Sequence, residues 1–402
     1  VKNDKMKNFH PHNQIGVGDF AFGKREQKYI GEVIKSNRLS YGPMTKRFET
    51  LFAREHGCKF GVFCNSGTSA LHIALAALKE KYNWHEQDEV IVPAITFIAT
   101  PNIVLHNNLR PVFVDVDRHT YNMNPFLIEE KITSRTRAVI PVHLFGMPVD
   151  MAPLMKICRK HSLRVIEDSC ETMFAEYKGK KVGSFGDIGC FSTYIAHFLV
   201  TGTGGLCTTS NPRLAVMLRS LMNHGRDSIY ISMDDDNKEG RRLFEVVDKR
   251  FKFIRLGHSF RATELEAAIG LGQMDNKEEI ISKRRKNARY LTEGLHDLEN
   301  FLQLPEVPDD RDHNFMMYPI VEKTANKQEL VYFLEQNLIE TRDMMPLLNQ
   351  PVYIKLFGKI ENDFPAAKWL RKNGFYIGCH QYFKKRELDF IVDKFHEFYK
   401  KR

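Results

Sequence analysis

The chain has 402 residues, 43% hydrophobic and 27% charged. That is long enough to bury a large core, and the composition is not that of a disordered, collagenous or disulfide-scaffold chain. The formal net charge of +9 favours anionic ligands. The basic residues are scattered apart from Lys283–Lys286 and Lys400–Arg402, which suits phosphorylated small molecules at least as well as nucleic acid. There is no 18-residue apolar run and no signal-like segment, and the seven cysteines show neither a C-x-x-C pair nor zinc spacing. No membrane span or metal site is therefore expected, and a reducing cytoplasm is the expected compartment.

In chain order, residues 1–40 form an N-terminal segment in which Phe20–Ser40 has helical spacing and ends near the Tyr41-Gly42-Pro43 turn. From 41 to 275, short β-branched runs alternate with helix-period segments. Phe60–Cys64, Glu89–Pro93, Pro111–Val116, Ala138–Leu144 and Arg164–Asp168 read as strands, with Ser69–Lys79 and Met151–His161 as helices. Cys64, Cys190 and Cys207 fall inside apolar strand-like runs and are expected to be buried thiols. The alternation predicts an open, mainly parallel sheet covered by helices on both faces. The charged stretch Arg226–Arg250, with Asp234-Asp235-Asp236, reads as a solvated loop rather than a metal site. From 276 to 402 a polar helix (Glu278–Leu295) precedes a strand near Phe315–Val321 and a helix at Lys327–Asn337. A closing helix has Leu388, Ile391, Val392, Phe395 and Phe398 on one face, giving a small α+β C-terminal domain.

Four stretches carry chemistry. Cys64-Asn65-Ser66-Gly67-Thr68-Ser69-Ala70 joins a strand to a helix, and makes either an anion site or a plain Ser/Thr cap. Phe97, just after Glu89–Pro93, is either a core residue or a flat surface for an aromatic cofactor. Asp168 ends an apolar strand, where it either pairs with a protonated pyridine nitrogen or makes a turn. FSTYIAHFLVTGTGGL, residues 191–206, offers Ser192 and then Gly202, Gly204 and Gly205, a phosphate-anchoring pattern.

Together these landmarks resemble the DegT/StrS family of nucleotide-sugar aminotransferases. The likeness runs from about residue 12 to the C-terminus. It includes NSGTSALHIAL, PAITFIAT, PVHLFGMPVDM, VIEDSCE, KVGSFGD, Asn223-His224-Gly225 and Phe260-Arg261-Ala262-Thr263-Glu264. The resemblance implies an α/β fold of the PLP-dependent transferase (aspartate-aminotransferase) type, with a large mixed, mainly parallel sheet domain and the smaller C-terminal domain. It also implies that Gly67, Thr68 and Ser69 cradle the phosphate of PLP or PMP, with Ser192 adding a hydrogen bond. Phe97 would stack on the ring and Asp168 would bind its nitrogen. Glu171 stands where many aminotransferases have glutamine beside the ring hydroxyl. Ser259 replaces an asparagine that usually reaches the partner subunit's phosphate, and a homodimer is implied.

His197 falls on the family's lysine, five residues after Ser192 and seven before Gly204. Imidazole has no primary amine and cannot form the internal Schiff base. The cofactor would be held non-covalently, with His197 as a proton-transfer group. This is similar to nucleotide-sugar 3-dehydratases, in which PMP condenses with the C4 ketone of an NDP-4-keto-6-deoxyhexose and histidine takes the C4′ proton. The C3 hydroxyl then leaves, a 3-deoxy sugar and ammonia follow, and glutamate regenerates PMP. Only Cys379 lies beyond Cys207, so the likeness is to the branch without an iron–sulphur cluster. Phe198 and Thr203 depart from the second histidine and the acidic residue those dehydratases usually carry. Glu340-Thr341-Arg342 with Pro346 and Gln350-Pro351-Val352-Tyr353 is more like ordinary aminotransferases. Two other readings stay open: an aminotransferase-type enzyme on a keto sugar with histidine, natural or engineered, in place of lysine, and a non-catalytic cofactor- or sugar-binding regulatory homologue.

Overall fold

The computed structural model describes residues 9–227 and 239–400. The strands in the first half are β1 (Phe60–Cys64), β2 (Glu89–Pro93), β3 (Arg110–Val114), β4 (Thr136–Val139) and β5 (Arg164–Asp168). They continue with β6 (Glu176–Tyr177), β7 (Lys180–Lys181), β8 (Ile188–Ser192) and β9 (Gly205–Thr209). β6 and β7 pair with each other, and the other seven form one sheet in the order β1-β9-β8-β5-β4-β2-β3. From β8 to β3 every pairing is parallel, whereas β9 runs antiparallel to both β1 and β8. β2, β8 and β9 are buried along their whole length, as strands covered on both faces must be.

The helix Gly67–Lys81 is apolar nearly all round, because the sheet lies on one side and the helices Ala99–His106 and Pro212–Met222 on the other. Its start is fixed by Ser66, whose side chain accepts the Ser69 N–H as an N-cap. A second sheet contains β10 (Leu302–Gln303), β11 (Tyr318–Glu322), β12 (Thr341–Asp343) and β13 (Gly374–Ile377), in the antiparallel order β10-β11-β13-β12. Tyr318, Ile320 and Phe375 of this sheet share a core with Leu291, Leu295 and Phe395. These come from the helices Lys277–Leu295 and Lys385–Lys400.

Four local expectations change. The first helix is Lys24–Ser36, and Tyr41-Gly42-Pro43 opens a further helix, Pro43–Glu55, with Gly42 as N-cap and proline at its first turn. β4 stops at Val139 rather than Leu144, and Pro141 has no N–H with which to extend the ladder. The second sheet's strand begins at Tyr318, after Phe315 adopts a left-handed φ of 52°. The stretch expected as a solvated loop contains the helix Gly240–Lys249, in which Leu243, Val246 and Val247 recur at helical spacing and Val246 is buried. Asp234-Asp235-Asp236 lies outside the described residues. The seven cysteines are free thiols, all buried except the half-buried Cys170. Among the described residues no helix is long and apolar enough to cross a membrane.

Candidate active site

A cavity of about 880 Å³ opens where the carboxyl ends of β5 and β8 meet the start of the Gly67–Lys81 helix. Ser66, Gly67, Thr68, Phe97, Asp168, Glu171, Ser192 and His197 all line it. The helix start is pressed against the end of β8. A Cβ at Gly67 would lie 2.7 Å from Ser192 Cβ and 2.9 Å from Cys170 Sγ. A Cβ at Gly205 would lie 2.3 Å from the Ser66 carbonyl, so β9 can begin here only with glycine. The first-turn amides of an α-helix have no intrahelical acceptor. In this helix those of Gly67 and Thr68 belong to cavity-lining residues, with Ser192 lining the cavity alongside. Ser69 does not join the lining, because its amide and hydroxyl are both engaged by Ser66 Oγ, at 3.0 and 2.9 Å.

Asp168 is buried at the end of β5. Its Oδ2 accepts from Thr100 Oγ1 at 2.8 Å, and Thr100 in turn shares a 2.8 Å bond with Thr96 Oγ1. Its Oδ1 accepts the Cys170 N–H at 3.2 Å. Burial raises the Asp168 carboxyl above its ordinary range, and these hydrogen bonds only partly oppose that. Glu171 is also buried, and its Oε2 accepts the Phe145 N–H at 3.0 Å. Burial pushes its carboxyl up to about 7; the Phe145 bond opposes the shift and the Asp168 charge adds to it. Phe97 leaves 59% of its surface exposed beside these carboxyls.

The loop after β8 is closed on itself. Thr193 N–H donates to the Gly204 carbonyl at 2.9 Å, and Thr193 and Thr201 hydroxyls meet at 2.6 Å. Within it, half-buried His197 directs both its main-chain N–H (2.9 Å) and its ring Nδ1 (3.3 Å) to the Tyr194 carbonyl. A carbonyl only accepts, so Nδ1 carries the proton and Nε2 keeps its lone pair. Removal from water lowers the imidazole pKa to about 4; the Tyr194 carbonyl opposes this and the Arg284 guanidinium adds to it. The imidazole is therefore neutral at physiological pH, with Nε2 free to accept a proton.

Ser259 is exposed and does not line its own chain's cavity; its hydroxyl accepts from Arg261 Nη2 at 3.1 Å. The opposite wall was not foreseen. Met316, Met317, Glu340, Arg342 and Tyr376 come from the second sheet and its approach, and Arg342 and Tyr376 are register partners on β12 and β13. Arg342 is paired with Glu340, whose other oxygen accepts the Val17 N–H at 2.7 Å. Glu340 and Arg342 belong to the aminotransferase-like stretch Glu340-Thr341-Arg342, but that stretch does not by itself place them at the cavity, to which only the chain's return brings them.

Residues 21–396 match the DegT/DnrJ/EryC1/StrS aminotransferase family. The protein named "Uncharacterized protein MJ1066" of Methanocaldococcus jannaschii is 37% identical over 359 residues, covering 87% of this chain and 88% of that one. GDP-perosamine synthase of Caulobacter vibrioides is 32% identical over 384 residues, covering 94% and 96%. A crystal structure of GDP-4-keto-6-deoxymannose-3-dehydratase with a trapped PLP-glutamate geminal diamine superposes with a TM-score of 0.84 at 28% identity, covering 96% and 100%. The fold is thus that of the PLP-dependent aminotransferases, as the sequence resemblance implied.

Proposed function

The chain belongs to the DegT/DnrJ/EryC1/StrS aminotransferase family of PLP-dependent enzymes acting on nucleotide sugars, and from that premise we propose that it catalyses C3-dehydration of an NDP-4-keto-6-deoxyhexose. The observation that carries this reading is the make-up of the cavity wall. Among the described lining residues there is no lysine, and the neutral imidazole of His197 stands in the loop where the family resemblance puts the lysine.

The residues present fit a B6 cofactor held without a covalent bond. The amides at Gly67 and Thr68, with the Ser192 hydroxyl, suit a phosphate, while Ser69 braces that turn from behind. Asp168 has no ion pair among the described residues, and a protonated ring nitrogen is the partner that a raised, buried carboxyl lacks. Phe97 offers a ring face, and Glu171 is poised to share a proton with a ring hydroxyl. When bound, PMP supplies an amine for the C4 ketone and a ring that takes up the electron pair from C–H cleavage. His197 Nε2 accepts the proton from C4′ and returns it to the C3 hydroxyl as water departs. Glutamate serves as amino donor, supported by the relative in which it is trapped on PLP. The balance is complete: glutamate is oxidised to 2-oxoglutarate, C3–O becomes C3–H, and ammonia is released.

The test is product stoichiometry with PLP, glutamate and NDP-4-keto-6-deoxyhexoses. Dehydration gives a 3-deoxy sugar with equal amounts of ammonia and 2-oxoglutarate. An amino sugar with 2-oxoglutarate and no ammonia sinks the reading in favour of transamination, to which Thr203 in the cavity wall and the likeness to GDP-perosamine synthase also point. The same proposal makes the enzyme a cytoplasmic homodimer in which exposed Ser259, bridged to Asn223, serves the partner subunit's site. Sedimentation as a single chain at micromolar concentration would rule the dimer out.

A further inference from the structure

The helix Lys277–Leu295 carries Lys283, Arg284, Arg285 and Lys286 in succession, a run that a solvated helix face would explain. Arg284 breaks that explanation, since only 1% of its surface is exposed. Its Nε donates to Gln381 Oε1 at 3.0 Å. Nη1 donates to the carbonyls of Met316 at 2.7 Å and Phe315 at 3.3 Å. Nη2 donates to the carbonyl of His197 at 3.3 Å. The guanidinium also lies 5.0 Å from the centre of the buried Phe198 ring. No carboxylate pairs with it among the described residues, and burial lowers its pKa to about 10.

A guanidinium taken out of water without a counter-ion is costly, and an aliphatic side chain would fill the same space at less expense. What the charged fork does, and an aliphatic chain cannot, is bind main-chain carbonyls from two separate segments at once. One is the His197 loop. The other is the strap at 315–316, whose Met316 lines the cavity. That strap is pinned from its far side: Met316 N–H donates to the Phe145 carbonyl at 2.9 Å, and Phe145 N–H donates to Glu171 at 3.0 Å. A continuous set of hydrogen bonds therefore runs from Glu171 through Phe145, Met316 and Arg284 to His197.

We propose that Arg284 is a positioning residue that sets where the His197 imidazole stands in the cavity, by tying the His197 main chain to the strap that also carries the Glu171 contact. This rests on the reading of His197 as the base. It does not depend on which sugar reaction follows.

A double-mutant cycle tests it. Conversion of PLP to PMP by glutamate is followed by absorbance in the parent, Arg284→Met, His197→Asn and the double variant. Arg284→Met is expected to slow this half-reaction about 100-fold, the loss typical of a reacting group misplaced by about 1 Å. In the His197→Asn background the same change is expected to cost less than about twofold, because the group it positions is gone. Arg284→Lys, which keeps the charge but loses the fork, falls between. A second readout needs no cofactor. In ¹⁵N-histidine spectra of the cofactor-free protein, the His197 ring signals, identified by their loss in His197→Asn, are single in the parent and broadened or split in Arg284→Met. Equal losses in both backgrounds, or unchanged His197 signals in Arg284→Met, overturn the proposal. If Arg284→Met does not fold, the same cycle with Arg284→Lys decides. The half-reaction involves no sugar, so an amino-sugar product would remove the dehydration reading and leave this coupling standing.

Discussion

Replacing Glu171 with glutamine removes a carboxyl that burial raises from 4.5 to about 7. The folded pKa lies above the unfolded one, so the protonated form stabilises the fold. That contribution is complete below the unfolded pKa of about 4.5 and is lost as pH rises through about 7. Between pH 5 and pH 8 the two titration curves differ by about 1.8 units in integrated proton binding, worth about 2.5 kcal/mol at 1.36 kcal/mol per unit. Urea unfolding of the cofactor-free parent and Glu171→Gln at these two pH values isolates position 171, since the other titrating groups are common to both proteins. The variant is expected to gain about 2.5 kcal/mol on the parent between pH 5 and pH 8. Its cofactor absorbance is expected to lose a transition near neutrality while the cofactor stays bound. A stability difference between the two proteins that is the same at both pH values would refute the electrostatic reading of the cavity floor.

Ser192→Ala is expected to weaken PLP binding about tenfold, the worth of one hydrogen bond to a charged group; an unchanged dissociation constant in fluorescence titration removes Ser192 from the phosphate contacts. Gly67→Ala forces a Cβ to 2.7 Å from Ser192 Cβ and is expected to cost about 1–3 kcal/mol, read as a lower urea midpoint. His197→Lys supplies the missing amine, so borohydride is expected to fix PLP covalently to the variant and not to the parent; a covalent adduct on the parent in mass spectrometry contradicts non-covalent binding. Arg342 is the one permanently cationic side chain lining the cavity among the described residues. Arg342→Gln is expected to raise KM for glutamate about tenfold through loss of a charge-assisted contact, and an unaffected KM sends the carboxylate elsewhere.

β2 and β5 were legible to the residue because EVIVP and RVIED are short apolar runs of β-forming side chains bounded by breaks in that pattern. The end of β4 was misjudged because apolar character continues past Val139, while Pro141 withholds the N–H that a strand needs. Phe97, Asp168, Ser192 and His197 were found by their order along the chain and come together at one cavity. Ser69 was chosen with Gly67 and Thr68 from one loop, but helical rotation carries it off the wall, where it serves the cap. Arg284 could not be distinguished from solvated basic residues by local pattern, and Arg342 stood in an aminotransferase-like stretch that did not place it at the cavity. Their environments are made by Met316, Gln381 and Tyr376, which only the folded chain brings near, with Glu340 two residues before Arg342 as its ion-pair partner. The shifted carboxyl of Glu171 belongs to the same class, since it arises chiefly from burial, which only the folded chain creates, with the Asp168 charge adding and the Phe145 bond opposing.

The two departures from the dehydratase pattern do not carry equal weight once they are located in space. Phe198 is fully buried beneath the Arg284 guanidinium and does not line the cavity, so it supports the His197 loop from behind. A second histidine at that position, on this backbone, would be a packing group rather than a proton donor. Thr203 does line the cavity, and its hydroxyl donates to Glu266 Oε1 at 3.2 Å. Glu266 meanwhile caps the Glu264–Met274 helix, its other oxygen accepting the Thr263 N–H at 2.6 Å. A carboxylate is thus held one residue behind the place where the dehydratases carry their acid, and Thr203 stands between it and the cavity. Under the proposed dehydration, this arrangement assigns the choice between expelling the C3 hydroxyl and keeping it to Thr203 and Glu266, and Thr203→Glu is expected to raise the ratio of ammonia to amino sugar. A ratio unmoved by that change would place the decision on the second-sheet wall, where Arg342 and Tyr376 face the same space.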